Sequence, residues 1–328
     1  MKSPTAPDRV MFAIVQLCLM IEGQEGVSWS QWLALAAACE QHGIPALFRS
    51  DHYLNLDGQH PERGALDAWA TITALAAATT TLRLGTMVSP ATFRHPSALA
   101  KMVTTADHVS GGRVELGLGA GWHEREHEAY GFPFPPTGER MEILEEQLQV
   151  VLGNWGEAPF SFTGRHYTLR DLDAQPKPVQ QPHPPLIMGG LAGPRSAALA
   201  ARYADEYNTV FPTLDEVRER QARIAAACAR AGREPMPFSV MTGVILGADD
   251  ADLRDRADRV GRLRGDQPGG LLADPPSGWI VARSDRAAEL LAELRDAGVS
   301  RVMCQHLAHD DLDAVALLGQ LGAALRTA

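Results

Sequence analysis

The sequence has little of what several common kinds of protein require. Only three lysines occur among its 328 residues, at Lys2, Lys101 and Lys177, which argues against Schiff-base or pyridoxal chemistry. No apolar run is long enough to span a bilayer, and the polar opening lacks the apolar core of a secretion signal. The formal net charge is -10, without a block of like charges. We therefore expect a cytoplasmic protein that binds neither nucleic acid nor membrane.

Cysteine is also scarce. The four cysteines are widely spaced and form no CxxC pair, so the sequence offers no thiol-based metal or redox motif. In a cytosolic protein they are predicted to be reduced, mostly buried small residues. They stand at Cys18, Cys39, Cys228 and Cys304.

The sequence does contain a regular alternation of short β-branched segments with longer helical patterns. Alternation of this kind implies parallel strands joined by right-handed crossovers. No GxGxxG follows the first strand, as a Rossmann fold would require. Eight strands fit a closed barrel better than an open sheet, so we predict one (β/α)8 TIM-barrel domain over residues 1–328. The predicted strands are 10–17, 44–48, 82–88, 114–118, 186–188, 206–211, 238–246 and 301–305.

Helical periodicity fills the intervals between these strands. The clearest helix begins at Pro96, which suits a first turn, and ends at Gly111. A Pro-rich stretch over residues 155–185 is predicted to be an insertion on the barrel, and we expect it to help select the substrate. The other predicted helices are 32–42, 66–78, 139–152, 194–203, 214–231, 251–263, 284–297 and 312–325.

In such barrels the chemistry lies in the loops that follow each strand. Asp51 and His52 follow the second strand, where a histidine tuned near neutrality suits proton transfer and the acid would orient it or contact a cofactor. After the fifth strand, Gly189 and Gly190 lead into a helix whose second residue is Arg195. A glycine loop at a helix N-terminus with a fixed cation predicts a phosphate site.

The loop after the fourth strand holds alternating glycines and then an H-E-x-x-H match. Glycines at alternate positions let the backbone approach a ligand closely. The match, His123 to His127, is typical of zinc peptidases. Its segment is short, a third metal ligand is not evident, and Tyr130 stands where the extended motif has glycine. We interpret the match as a solvated helical turn without metal and keep the zinc metallopeptidase as the alternative from another class.

Three segments together resemble the bacterial luciferase-like superfamily, in particular its coenzyme F420-dependent oxidoreductase branch. The similarity extends over nearly the whole chain. The segments are residues 50–53 (SDHY), 84–96 (LGTMVSPATFRHP) and 112–122 (GRVELGLGAGW).

The resemblance implies a flavin or deazaflavin ring in the mouth of the barrel and, as a rule, a homodimer. It implies a non-prolyl cis peptide between Met87 and Val88 behind the ring, and an acid–histidine pair formed by Asp51 and His52. It also implies backbone contacts from Ala120 and Gly121. The loop carrying Gly189, Gly190 and Arg195 would bind the phosphate.

One position departs from the sugar-phosphate dehydrogenases of the superfamily. Where those enzymes carry a glutamate, this sequence has Trp122. The substitution removes an acid and supplies an apolar wall, so we expect Trp122 and His123 to line the pocket of an apolar or aromatic small molecule. The first hypothesis is hydride transfer with F420, with His52 handling a proton. The alternatives are an FMN-dependent monooxygenase served by a separate reductase, and a barrel that binds a ligand without turnover.

Overall fold

The computed structural model of the chain describes residues 15–56, 58, 60 and 62–327. The strands in this part are β1 (Gln16–Ile21), β2 (Ala46–Arg49), β3 (Arg83–Thr86), β4 (Ser89–Pro90), β5 (Val114–Gly119), β6 (Phe160–Thr163), β7 (Thr168–Leu172), β8 (Leu186–Gly189), β9 (Glu206–Val210), β10 (Phe238–Gly247), β11 (Ile280–Arg283) and β12 (Val299–Gln305). The helices are α1 (Trp29–Gln41), α2 (Ala68–Ala78), α3 (Pro96–Ser110), α4 (Glu124–Tyr130), α5 (Thr137–Trp155), α6 (Pro194–Tyr203), α7 (Leu214–Arg230), α8 (Asp250–Arg264), α9 (Gly270–Ala273), α10 (Ser284–Asp296) and α11 (Leu312–Thr327). None of these helices is long and apolar enough to cross a membrane.

Eight of the strands form the predicted barrel. They pair in parallel in the order β1, β2, β3, β5, β8, β9, β10 and β12, and β12 closes the ring against β1. The (β/α)8 prediction is therefore confirmed. Successive side chains of a barrel strand point alternately outward and inward. In β1, Leu17 and Leu19 pack outward in the main core, whereas Cys18 and Met20 pack inside the barrel.

The first strand was predicted too early in the chain. The prediction placed it at 10–17, but β1 begins at Gln16 and ends at Ile21. Residues 10–14 of the predicted strand lie outside the described residues. The apolar pattern continues through both stretches, so periodicity alone set the strand about five residues early. The shift matters because the loop that follows β1 begins at Glu22 and contributes to the site described below.

The Pro-rich insertion exists but does not lie at the mouth of the barrel. It contains the antiparallel hairpin of β6 and β7, followed by a segment bound to α3. The Asp107 carboxylate accepts the backbone N–H groups of Val179 (2.6 Å) and Gln180 (3.0 Å). The amide oxygen of Gln180 accepts from Arg83 at the start of β3, which is the N-terminal end of the barrel. At the C-terminal end of the barrel a large cavity opens, and no residue of the insertion lines it. The expectation that it helps select the substrate is therefore wrong.

A second excursion was not predicted. Between β10 and α10 the chain forms α8, α9 and β11, where the sequence indicated only a helix and a Gly/Pro loop. The first part of β10 pairs within the barrel, and its last four residues, Val244 to Gly247, pair with β11. β10 therefore continues past the barrel, and the segment that follows it lines part of the cavity at the C-terminal end. We call residues 248–283 the β10 excursion.

Candidate active site

A cavity of about 1310 Å³ opens where the C-terminal ends of the barrel strands meet. Single drug-sized ligands occupy pockets of about 300–1,000 Å³, so this one has room for more than one ligand. It contains most of the predicted site residues. Those lining it are His52, Met87, Val88, Ala120, Gly121, Trp122, His123, Gly189 and Gly190. Asp51 and Arg195 are not among them.

His52 is oriented by Glu126 and not by Asp51. Nδ1 of His52 donates to Oε2 of Glu126 at 2.8 Å, and the other carboxylate oxygen accepts backbone N–H groups from Tyr53 and from Leu54 (2.9 Å). Glu126 is fully buried. Such a pair fixes the proton on Nδ1 and leaves Nε2 available to a ligand. No hydrogen bond joins Nε2 of His52 to another described side chain.

The pair shifts the pKa of both partners. Burial disfavours the charged imidazole, but the hydrogen bond and the negative charge of Glu126 outweigh it and raise the pKa of His52. Burial likewise disfavours the Glu126 carboxylate, but His52 and the backbone donors outweigh it and lower that pKa. Both directions indicate a carboxylate that favours the protonated ring. His52 is therefore a stronger base than an isolated histidine.

The predicted acid–histidine pairing of Asp51 is thus wrong. Asp51 is buried and accepts from Nη1 of Arg94 at 2.6 Å and from Oγ of Ser89 at 2.6 Å. Arg94 also pairs with Asp67 at 2.7 Å, so one guanidinium links two carboxylates. These contacts tie the loop after β2 to β4 and to the segment before α3. Sequence adjacency to His52 suggested a partnership, but the half-buried Arg94 compensates the Asp51 charge instead.

The interpretation of residues 123–127 as a solvated turn is also wrong. Glu126 and His127 on α4 are buried. Both ring nitrogens of His127 have partners, since Nε2 lies 2.6 Å from Oγ1 of Thr92 and Nδ1 lies 2.8 Å from the carbonyl of His123. In the described part of the chain no group of three or more His, Cys, Asp or Glu side chains is arranged to hold a metal. The segment instead supplies Glu126 to His52.

The end of β3 and the ends of β5 and β8 form one side of the cavity. The peptide between Met87 and Val88 is cis, as the resemblance implies. The Val88 side chain occupies space that glycines leave free: a Cβ at Gly119 would lie 2.8 Å from it, and a Cβ at Gly189 would lie 3.1 Å from it. Gly121 follows with a φ of 80°, a conformation that favours glycine. Glycines therefore bring the backbone of both strands close to the cavity.

The cation at this side of the cavity is Arg140 and not Arg195. The Arg195 guanidinium donates to the carbonyl of Gly138 (3.0 Å) and lies 3.8 Å from Glu145, outside the cavity. Arg140, in the first turn of α5, is buried, lines the cavity and forms no ion pair with a described acid. Its Nη1 and Nη2 donate to the carbonyl of Pro135 and to the hydroxyl of Thr137, and Nε has no partner.

The Arg140 guanidinium lies 4.0 Å from the centroid of the Phe134 ring and has no acidic partner among the described residues, so it can bind an anion. Arg140 lies in the first turn of one long helix, and Ser196 of the first turn of α6 lines the same cavity. Helix N-termini carry free N–H groups and a partial positive charge. Position 140 carried no sequence signal because it lies beyond α4, inside α5, and not directly after a strand. The arrangement fits a phosphate bound between the two helices.

Another group of polar residues was missed because β1 was misplaced. The Glu22 carboxylate lines the cavity and accepts from the amides of Gln24 (2.8 Å) and Gln305 (2.7 Å). The amide oxygen of Gln24 in turn accepts from Ser50 at 2.5 Å. The ends of β1, β2 and β12 are thus joined by one hydrogen-bonded chain. Glu22 is held in place with its negative charge at the cavity wall.

Besides Nε of Arg140, three more buried polar atoms of this region lack partners among the described residues. They belong to residues that line the cavity, and buried polar atoms without partners are rare in folded proteins. Their presence at one cavity indicates that a ligand or water completes them. The atoms are Oδ1 of Asn208, Nε2 of His123 and Nε2 of His309.

The cysteines take no part in this site. All four are free and buried, as predicted. Burial raises the pKa of the Cys18 thiol to about 12, so it is not a nucleophile at neutral pH.

The chain is similar to known proteins in sequence and in fold. A sequence model of the luciferase-like monooxygenase family matches residues 11–319. The chain belongs to this family. It is 30% identical over 225 residues to the F420-dependent hydroxymycolic acid dehydrogenase of Mycobacterium tuberculosis (strain ATCC 25618 / H37Rv), covering 68% of this chain and 61% of that protein.

Other relatives use a different cofactor. The chain is 33% identical over 160 residues to the FMNH(2)-dependent dimethylsulfone monooxygenase of Pseudomonas putida, covering 48% of this chain and 43% of that one. Among solved structures, an F420-dependent secondary alcohol dehydrogenase in complex with an F420-acetone adduct superposes with a TM-score of 0.78 at 19% identity, covering 95% of this chain and 99% of that chain. This family of oxidoreductases and monooxygenases thus has F420-dependent and FMN-dependent members, and its fold is that of this chain.

Proposed function

We propose that the protein is an F420-dependent oxidoreductase that interconverts an alcohol and a carbonyl compound in this cavity. The observation that carries the proposal is the pair of His52 and Glu126, because hydride transfer between a carbinol and a carbonyl also requires a group that moves a proton. Nε2 of His52 faces the cavity and is made basic by a buried carboxylate. The F420-dependent relatives add support.

When bound, the deazaflavin supplies or accepts the hydride. The residues that would hold its ring are those at the ends of β3, β5 and β8, namely Val88, Ala120 and Gly121 with the glycines 189 and 190. The residues that would hold its phosphate are Arg140 and Ser196. They fit such a group because the glycines bring backbone close to the cavity and because Arg140 is a buried cation without an acidic partner among the described residues.

The protein's own contribution is to position the substrate oxygen and to handle its proton. In alcohol oxidation Nε2 of His52 accepts the hydroxyl proton, and Glu126 stabilises the resulting imidazolium. In carbonyl reduction the same proton returns to the oxygen. Glu126 does not contact the substrate and acts only by orienting and charging His52. Loop contacts between Asp51 and Arg94 keep the histidine in place.

The second candidate is an FMN-dependent monooxygenase, and the relative that uses FMNH2 favours it. A flavin mononucleotide offers the same kind of ring and a phosphate, so the cavity suits both cofactors. Such an enzyme would need oxygen and a separate reductase. It would have no need of a base at Nε2 of His52 for a carbinol proton. The pair of His52 and Glu126 therefore favours the F420 enzyme.

Titration of the purified protein with F420 and with FMN, followed by fluorescence quenching, tests the proposal. We expect F420 to bind at micromolar concentration and FMN to bind at least about tenfold more weakly, a difference of about 1.4 kcal/mol. Tight binding of FMN with no binding of F420 would favour the monooxygenase. Binding of neither would refute both candidates and leave a barrel without a redox cofactor.

We also infer that the protein is cytoplasmic and, as the resemblance implies, a homodimer. Sedimentation of the purified protein at micromolar concentration measures the oligomeric state. A monomer throughout that range would refute the dimer without affecting the assignment of the site.

A further inference from the structure

Two tryptophans line the cavity. Trp122 follows β5, and Trp279 belongs to the β10 excursion next to β11. In the barrel β5 and β10 stand three strands apart around a ring of eight, so the two side chains reach the cavity from different sides. We call the part of the cavity lined by Trp122, Trp279, Leu263, Leu307 and His309 the tryptophan lobe.

Trp279 is held rigidly. Its indole lies against the backbone of β10 at Gly243, where any Cβ would overlap the ring. The guanidinium of Arg264 also lies 4.9 Å from the ring centroid. These two contacts hold the indole in one orientation. A rigid aromatic wall provides contact area at little cost in conformational entropy.

Trp122 is unusual because 62% of its surface is exposed although it lines a cavity. It stands edge-on to His52, with 5.6 Å between the ring centroids and an angle of 76° between the planes. An exposed indole beside the proton-transfer group is apolar surface that a bound molecule would cover.

The charges at the lobe do not favour an anionic ligand. Arg63 pairs with Glu25 at 3.0 Å, and Arg264 pairs with Asp266 at 2.9 Å, so both cations at the rim are compensated. The Glu22 carboxylate, in contrast, is bound only by amide groups among the described residues. A phosphate or carboxylate entering here would meet a buried negative charge without a free cation.

His309 adds one neutral polar group. It is buried, and Nε2 has no partner among the described side chains. Burial lowers the pKa of His309 to about 4, so the ring is uncharged at neutral pH. An unpaired neutral nitrogen in an apolar wall suits a hydrogen bond to an uncharged ligand oxygen.

We propose that the tryptophan lobe binds an uncharged, flat, ring-containing alcohol or ketone, with its ring system between Trp122 and Trp279. The reacting oxygen would face Nε2 of His52, and a second oxygen, where the molecule has one, would reach His309. This inference rests on the proposed function for the identity of the reacting group. It excludes sugar phosphates as good substrates.

The test uses the protein without cofactor, labelled with 5-fluorotryptophan. The chain has six tryptophans, and the variants W122F and W279F assign two of the six ¹⁹F resonances. Adding 1-tetralone, a flat neutral ketone, should shift those two resonances saturably and leave that of Trp29, on the outer face of α1, unchanged. Adding glucose 6-phosphate should shift neither. Shifts caused by the sugar phosphate, or none with 1-tetralone, would overturn the proposal.

A variant gives a second, quantitative readout. Trp279→Leu should weaken 1-tetralone binding by about tenfold, a loss typical of an aromatic contact with its buried area. The matched control Trp29→Leu, at an exposed residue outside the cavity, should leave it unchanged. Equal binding by both variants would refute the role of Trp279. F420 affinity, measured separately by fluorescence, distinguishes failure of the lobe from failure of the proposed function.

Discussion

The two ends of the barrel interior both contain charged side chains, but they differ in how completely these are paired. At the N-terminal end Arg301 donates to Glu115 (2.8 Å) and to Glu206 (2.6 Å), and Arg83 donates to Glu115 (2.5 Å). At the C-terminal end several buried nitrogen and oxygen atoms have no partners in the described part of the chain, and Arg140 has no acidic partner there. The N-terminal end is therefore complete without a ligand, whereas the mouth is arranged for one.

Buried charge alone therefore does not identify a functional site. The Arg301 cluster is as buried and as strongly charged as the pair of His52 and Glu126. The neighbouring acids hold Arg301 protonated and raise its pKa despite burial. A charged cluster that stabilises the fold differs from one that binds a ligand in whether its buried polar atoms all have hydrogen-bond or ion-pair partners. Each of the following predictions tests this distinction, beginning with the largest expected effect.

His52→Ala should reduce the rate of F420-dependent ketone reduction by about 10²–10⁴-fold, the usual loss of a general acid or base. The midpoint of thermal unfolding should change little, because Glu126 keeps its backbone donors. His108→Ala, at an exposed position on α3, is the control and should retain full activity. Full activity in His52→Ala would contradict the proton-transfer role.

Arg301→Met should lower the free energy of unfolding by about 3–5 kcal/mol, because it leaves Glu115 and Glu206 buried without their cation. Denaturant unfolding measures the change. The folded fraction should bind F420 with unchanged affinity. Arg218→Met, which breaks an exposed pair with Asp215, should leave the midpoint unchanged. A loss of F420 affinity without loss of stability in Arg301→Met would remove the contrast between the two ends.

Arg140→Met should weaken F420 binding by about 10–100-fold, the range for losing hydrogen bonds to a charged group. Arg195→Met is the matched control and should change the dissociation constant by less than about twofold, because its guanidinium lies outside the cavity. Fluorescence quenching measures both constants. The opposite ranking would restore Arg195 as the phosphate ligand.

Glu126→Gln should give the smallest effect, a shift in pH dependence. Because Glu126 raises the pKa of His52, its removal should lower that pKa and move the rising limb of the alcohol-oxidation rate to lower pH. Glu126→Asp keeps a carboxylate, so its rising limb should lie between that of Glu126→Gln and that of the unmodified protein. A lower rate with an unmoved limb would indicate a purely structural role.

The raised pKa of His52 also determines how the free energy of unfolding changes with pH. The pKa of His52 is raised in the folded protein, so its stabilisation is fully present below the pKa of an unfolded histidine. It declines as the pH rises through the raised value. The Glu126→Gln variant should lack this decline when unfolding is measured between about pH 5 and 8.

The fold was predictable because its periodic pattern is strong. Strand and helix alternation gave the eight barrel strands, and α6 was predicted at its observed limits, Pro194–Tyr203. The errors arose where periodicity has no information. The pattern did not separate residues 10–14 from β1, and β11 is four residues long and follows a Gly/Pro loop. Its pairing with β10 is a tertiary contact that no local pattern encodes.

The site was predictable only where its residues directly follow strands. His52, Gly121 and Gly190 were found by this rule, whereas Val88 came from the family resemblance, and all four line the cavity. Glu126 is 74 positions from its partner His52, and Arg140 stands in a helix, so neither followed from neighbourhood in the sequence. The rule also proposed Asp51 and Arg195, whose charges are compensated by closer partners. Pairing of buried charges depends on distances that only the folded chain defines.

The central claim is that the redox cofactor and His52 share the mouth of the barrel. Histidine side-chain NMR of the ¹⁵N-labelled protein during titration with F420 tests it most directly. We expect the His52 and His123 resonances to shift together and to saturate with the F420 dissociation constant, while the resonance of exposed His108 does not move. Saturable F420 binding with an unchanged His52 resonance would show that the cofactor and His52 do not share the mouth of the barrel.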